Sequence, residues 1–292
     1  MKINYFENKV QLDFVKSLAI IFSVAFFLFS FKSNDCIAQF KPQNKIYKTF
    51  EEAFKNPLEV KHLRVTYSQL KSVPPEIASL KNLEILELNN NFIKALCPEI
   101  GQLKKLKKLN LFKNKLQILP KEIGLLESLE ILTISSNDLI ILPPEIGKLY
   151  KLKRLSVKFN LLDSLPNSIC DLSSLKYLDL SFNQLRQLPE DIGQLEQLEF
   201  FYLGDNILLT IPKSIGNLYH IKQLYIGRNE LKNFPNEICN LTSLKELDVA
   251  FSGVLLRLPN INVLRNLEYL YVNGTIILPN FVTIPRLTVV QL

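Results

Sequence analysis

Two histidines, a few cysteines and a regularly spaced set of aromatic and acidic residues are the groups in this 292-residue chain that could do chemistry. His62 and His220 lie far apart in sequence, and neither has cysteine or carboxylate neighbours at metal-ligand spacing. Both read as exposed or incidental side chains. No glycine-rich phosphate loop and no nucleophile elbow occurs, so the expectation is a chain with no catalytic centre, no metal and no cofactor. What remains is recognition chemistry. Tyr177, Phe200, Tyr202, Tyr225, Tyr269 and Tyr271, with Phe182 and Asp248 beside them, recur at a fixed phase of a repeating pattern. Rigid aromatic rings with polar tips are the groups that binding surfaces use as anchors.

The elements that position them follow from the period. From Val60, apolar residues open a unit every 23 residues: Leu83, Leu106, Leu129, Leu152, Leu175, Leu198, Ile221, Leu244 and Leu267. Each unit reads LxxLxLxxNxLxxLPxxIxxLxx, shown in full from Leu175 to Pro189 and beyond. The LxL core has the period-2 alternation of a short strand with two residues pointing inward, so successive units are predicted to pair into one parallel sheet. Asn at position nine, from Asn91 to Asn229, supplies an amide that both donates and accepts where the strand turns. Pro at position fifteen holds the return path extended. No unit buries its apolar face alone, so neighbours are obligatory.

This pattern resembles the leucine-rich-repeat family over about four fifths of the chain, and its LPxxI ending resembles the Ras-suppressor-like class of that family. The resemblance implies an α/β fold: a right-handed horseshoe solenoid with a concave parallel sheet and a mostly irregular or short-helical convex side. It implies protein or peptide ligands more often than glycans.

Both ends depart from the repeat. Lys9 and Lys16 precede an uncharged stretch from Ser17 to Phe31, closed by Lys32. As a helix it would be roughly 22 Å long, short of the ~30 Å hydrocarbon core. Residues 1–38 therefore read as an export signal cut after Ala38, which places the mature protein outside the cell or in the envelope. Two other readings stay open: lipidation at Cys36, which Asp35 disfavours, and an uncleaved anchor. If the segment does not direct export, the chain is instead an intracellular-type scaffold. Residues 39–59 read as an N-terminal cap, with Thr49 and Glu52 at capping-box spacing and Phe50, Ala53 and Phe54 on one helical face. The recognition domain spans 60–292 and finishes on an apolar strand from Leu287. Cys170 and Cys239 share one repeat position three units apart, about 14 Å at the strand spacing, too far for a disulfide. They read as small fillers.

On the concave face, position two alternates lysine and glutamate, the pattern of cross-strand pairing. Lys108, Lys113, Arg154 and Lys158 form a basic patch in the third to fifth units, read either as solvated surface or as a contact for acidic protein or glycan. The formal charge of +7 is too diffuse to decide. The aromatic residues of the last five units, interleaved with Asp179, Asp205, Glu246 and Asp248, suit a ligand with apolar and basic groups. The expected function is non-catalytic recognition of a protein or peptide on this face, with a glycan as another possible ligand. Nucleic acid is not an expected partner of an exported chain, and membrane contact is expected only through the signal or an anchor.

Overall fold

The structure is a computed structural model, and it describes residues 45–292. The segment read as an export signal, with the cysteine at 36, lies outside the described residues. Twelve short strands stack in chain order into one parallel sheet: β1 (Ile46–Tyr47), β2 (His62–Arg64), β3 (Ile85–Glu87), β4 (Lys108–Asn110), β5 (Ile131–Thr133), β6 (Arg154–Ser156), β7 (Tyr177–Asp179), β8 (Phe200–Tyr202), β9 (Gln223–Tyr225), β10 (Glu246–Asp248), β12 (Tyr269–Val272) and β14 (Thr288–Gln291). A second, two-stranded sheet joins β11 (Leu256–Arg257) to β13 (Ile276–Ile277). The register from β2 to β10 advances by one unit per strand, so residues 23 apart face each other.

Each unit from Val60 to Leu244 returns through an extended segment and a 3-10 turn, such as Asn167–Asp171. Pro166 has φ −66° and ψ 142°, the extended geometry its ring imposes, and Cys97 adopts φ −72° and ψ 147° where another unit would have proline. In the Leu175 unit, Leu175, Leu178, Leu180, Leu185, Leu188, Ile192 and Leu195 are all buried, giving a continuous core from unit to unit. The turns stack so closely that position nineteen is small. A Cβ added to Gly216 would lie 2.6 Å from the carbonyl oxygen of Glu237. Cys170 is buried at this same position and Cys239 is half-buried there, both with free thiols, as their filler role requires.

The asparagine positions perform the expected task. Asn160 Nδ2 donates to the carbonyl of Val157 in its own unit and to that of Ile134 in the unit before, while Oδ1 accepts from the N–H of Leu139. The same triad of bonds repeats at Asn114, Asn137, Asn183, Asn206 and Asn229. In the Leu244 unit this position is Ser252, fully buried, whose hydroxyl reaches only its own unit's Val249 carbonyl.

At the N-terminal end, α1 (Phe50–Lys55) is capped by Thr49, whose hydroxyl accepts from Glu52 N–H at 3.1 Å. Ala53 is fully buried and the rings of Phe50 and Phe54 stack 5.7 Å apart against the core. Strand β1 has no counterpart in the repeat pattern and extends the sheet by one strand. At the other end β14 pairs with β12 and exposes Val289. No helix among the described residues is long and apolar enough to cross a membrane.

Candidate binding face

One strand supplies two outward side chains, at positions three and five, because alternate residues point to opposite faces. On β7 to β12 these positions carry Tyr177, Phe200, Tyr202, Tyr225, Tyr269 and Tyr271, and the structure joins them into one strip. Ring centroids lie 5.3 Å apart for Tyr177 and Tyr202, 5.1 Å for Tyr202 and Tyr225, 6.2 Å for Tyr225 and Tyr271, and 6.4 Å for Tyr271 and Tyr269. Phe200 joins the strip at 6.3 Å from Tyr177. The rings are less exposed than a wet sheet face suggests: Tyr269 stands open, and the others are half-buried by one another. Their hydroxyls are also engaged. Tyr177 donates to Asp179 at 3.4 Å, Tyr202 to Gln223 and Tyr225 to Glu246. Burial and the neighbouring carboxylates push the hydroxyls of Tyr177, Tyr202 and Tyr225 above the ordinary phenol range, and burial above all raises Tyr271 to about 12.

Carboxylates lie within the strip. Asp179 is buried, accepts from the N–H and hydroxyl of Ser181, and is raised by burial. Asp248 accepts from Ala250 N–H at 2.9 Å and is pushed up to about 6, again mainly by burial. Asp205, raised by burial, has Arg228 at 3.9 Å.

The row at position eight, where Phe182 stands beside the strip, has a backbone geometry that the apolar pattern did not show. The residue at position eight has a left-handed backbone in every unit from Tyr67 to Phe251, with φ between 54° and 57°. Asn90 and Asp205 suit that geometry, and they were the available signal. Phe159, Phe182 and Phe251 do not, since a Cβ there costs roughly 1–2 kcal/mol. Phe159 and Phe182 stack at 4.2 Å with the Lys158 ammonium 5.0 Å from each ring centre.

The four residues of the basic patch are not brought together as one free cationic surface. Lys108 pairs with Glu87 at 2.9 Å, and Arg154 lies over the Tyr177 ring at 3.5 Å, at the start of the aromatic strip. Lys158 belongs to the phenylalanine pair, and Lys113 is exposed. Cross-strand pairing at position two is present at Lys107–Glu84, Lys153–Glu130, Lys176–Glu199, Lys222–Glu199 and Lys245–Glu268.

The two histidines differ. His220 is exposed. His62 is not: it is 3% exposed on β2, its Nε2 lies 3.2 Å from Glu87 Oε2, and its buried Nδ1 has no partner. Glu87 gathers His62, Arg64 and Lys108, and these hydrogen bonds hold its carboxyl well below the usual carboxylate range. Repeat arithmetic places residue 62 on the strand but says nothing of the β1 strand beside it, so its burial was hidden. No cluster able to hold a metal ion occurs among the described residues.

Repeat, sheet and turn define a solenoid of recognition type, and comparison with known proteins gives the family. Residues 81–139 match a family model described as leucine rich repeat, and residues 144–224 and 166–270 match one described as leucine-rich repeat region. No curated protein matches. Among solved structures, a leucine-rich-repeat protein of Leptospira interrogans is 35% identical with a TM-score of 0.70, over 85% of this chain and 70% of that one. The ectodomain of the Arabidopsis thaliana membrane receptor kinase GASSHO1/SCHENGEN3, in complex with Casparian strip integrity factor 2, is 28% identical with a TM-score of 0.69, over 80% of this chain and 29% of that one. A plant peptide hormone receptor, RGFR1 in complex with RGF2, is 25% identical with a TM-score of 0.65, over 86% of this chain and 46% of that one. The chain belongs to the leucine-rich-repeat proteins. Its fold and family are those of protein-recognition modules, typically without catalysis of their own.

Proposed function

We propose that the chain is a non-catalytic module that binds a protein or peptide on the concave sheet, with the aromatic strip from Tyr177 to Tyr271 as its contact surface. The observation that carries this reading is the continuity of that strip. Six aromatic residues at outward strand positions form an unbroken surface with carboxylates inside it. A preformed sheet loses little conformational freedom on binding. Of the plant receptors of similar fold, one is a peptide hormone receptor in complex with RGF2 and the other is in complex with Casparian strip integrity factor 2, which favours a polypeptide as the occupant.

The finer assignment follows the sequence. The units belong to the 23-residue LPxxI class, residues 1–38 direct export, residues 39–59 cap the solenoid, and residues 60–292 form the recognition domain of a secreted or envelope-held protein. The test has two arms. Replacing Tyr202, Tyr225 and Tyr271 together by alanine should abolish capture of a partner that the unaltered chain retains and that mass spectrometry identifies. Unchanged capture overturns the concave-face reading. Fractionation with N-terminal sequencing should find a chain starting at Gln39 outside the cytosol, and a cytosolic chain starting at Met1 overturns export.

A further inference from the structure

We propose that the gap above Gly204, between Asp205 and the Asp248 carboxylate that covers Gly227, is a subsite for a basic side chain, lysine or arginine, of an extended ligand. This rests on the peptide-recognition reading above and adds the chemistry of one ligand residue.

The first argument is charge. On the N-terminal half of the concave face, carboxylates are neutralised by the chain itself: Glu84 by Lys107, Glu130 by Lys153, and Glu87 by Lys108 and Arg64. Between β7 and β10 position two keeps that pairing, as at Glu199 with Lys176 and Lys222, but the acids at positions three, five and eight do not. Asp179, Glu246 and Asp248 make no ion pair among the described residues, and Asp205 has only the 3.9 Å approach of Arg228. Arg228 and Lys158 act on these acids only at longer range, so a ligand cation in direct contact would offset more of the cost of burying them.

The second argument is space. Position seven is Thr66, Asn89, Phe112, Ser135 and Lys158 in earlier units, and Ser181, Gly204, Gly227 and Ala250 from β7 to β10, so only β8 and β9 carry glycine there. Above Gly204 a Cβ would find only the Gly227 carbonyl, at 3.3 Å. At Gly227 a Cβ would sit 2.8 Å from Asp248 Oδ1, so this carboxylate already leans over bare backbone. The backbone at Gly204 is therefore uncovered, and the Asp248 carboxylate fills the space over Gly227 beside it.

The third argument is the lining. This face already accepts cations on its rings: Arg154 over Tyr177, Lys158 over Phe159 and Phe182, and Arg228 5.3 Å from the centre of Phe251. Strand order places Tyr202 and Tyr225 on one side of the gap and the position-eight row on the other. An alkyl stem would pack on the rings and its charged tip would reach Asp205 and Asp248.

The probes are fluorescein-labelled heptapeptide pools with a fixed central residue, Arg, Lys or Glu, and mixed flanking residues, titrated into the full chain by fluorescence anisotropy. The Arg and Lys pools should bind about tenfold more tightly than the Glu pool. Asp205→Asn with Asp248→Asn should remove that preference, and Tyr202→Ala with Tyr225→Ala should weaken every pool. Circular dichroism on each variant verifies folding, and Asp205→Asn alone, which keeps the Asp248 bond to Ala250, should remove part of the preference. Pools that bind equally, yet are weakened by the tyrosine variant, overturn the basic subsite and leave peptide recognition standing. A basic preference that survives both aspartate changes overturns the location. No binding by any pool overturns both readings.

Discussion

The rings of Tyr225 and Tyr271 stand 6.2 Å apart although β10 runs between their strands. The residue of β10 in register with both is Asp248, so the two rings lean toward each other across it. That explains why its carboxyl is buried and raised to about 6. An acid whose folded pKa lies above its unfolded value of about 3.9 holds its proton more tightly in the native state. Its contribution to stability therefore falls as pH rises through the window from about 4 to about 6 and is constant above. Asp248→Asn carries no such term. Urea unfolding at pH 4.5, 5.5 and 7 should show wild type losing stability relative to Asp248→Asn as pH increases. A difference that does not change with pH would refute the buried-carboxylate account.

The internal asparagines predict a different loss. Removing the Asn160 amide strands the Leu139 N–H in the core, while the Ile134 and Val157 carbonyls lose one of two donors and keep the amides of Asn137 and Asn183. An unsatisfied buried group costs about 1–3 kcal/mol, so Asn160→Ala should destabilise by roughly 2 kcal/mol. The denaturation midpoint should fall with little change in slope. A loss below about 0.5 kcal/mol would mean that the amide bonds are replaceable by water.

These two predictions mark how far the sequence could be read. Asn160 was legible because its role is local to the repeat: the same side chain meets the same carbonyls in each unit, so spacing alone reveals it. Tyr202 and Tyr225 were legible as outward residues for the same reason, since strand alternation fixes their face. The lean of Tyr225 and Tyr271 over Asp248 was not, because it depends on side-chain directions across three strands. His62 was misread as exposed or incidental because its burial depends on position at the end of the array, beside β1, where the repeat gives no rule. The left-handed backbone at Phe159, Phe182 and Phe251 was obscured by side chains that disfavour it.

Glu87 carries the end of the array. It is 8% exposed and holds His62, Arg64 and Lys108. Losing the anion leaves partly buried cations facing each other, which is far costlier than losing a surface pair. Glu87→Ala should destabilise by about 3 kcal/mol, whereas Glu84→Ala, whose pair with Lys107 is more exposed, should cost under about 1 kcal/mol. Thermal unfolding of the two variants side by side measures the contrast, and equal shifts would show that burial adds nothing to this cluster.

Phe251 separates display from packing. Its backbone is left-handed at φ 56°, its side chain is 44% exposed, and its contact with Arg228 is a 5.3 Å approach. Both backbone groups are engaged whatever the side chain: the N–H donates to Asn273 and the carbonyl accepts from Asn229 N–H. Asparagine tolerates this backbone better than phenylalanine does. Phe251→Asn should therefore leave stability unchanged or raise it by up to about 1 kcal/mol, since the exposed cation–π contact it removes is worth about as little. If the ring is there to meet a ligand, the same change should weaken peptide binding several-fold in the anisotropy assay. A variant that is clearly less stable yet binds as before would assign Phe251 to packing, and the position-eight row would no longer count as part of the binding face.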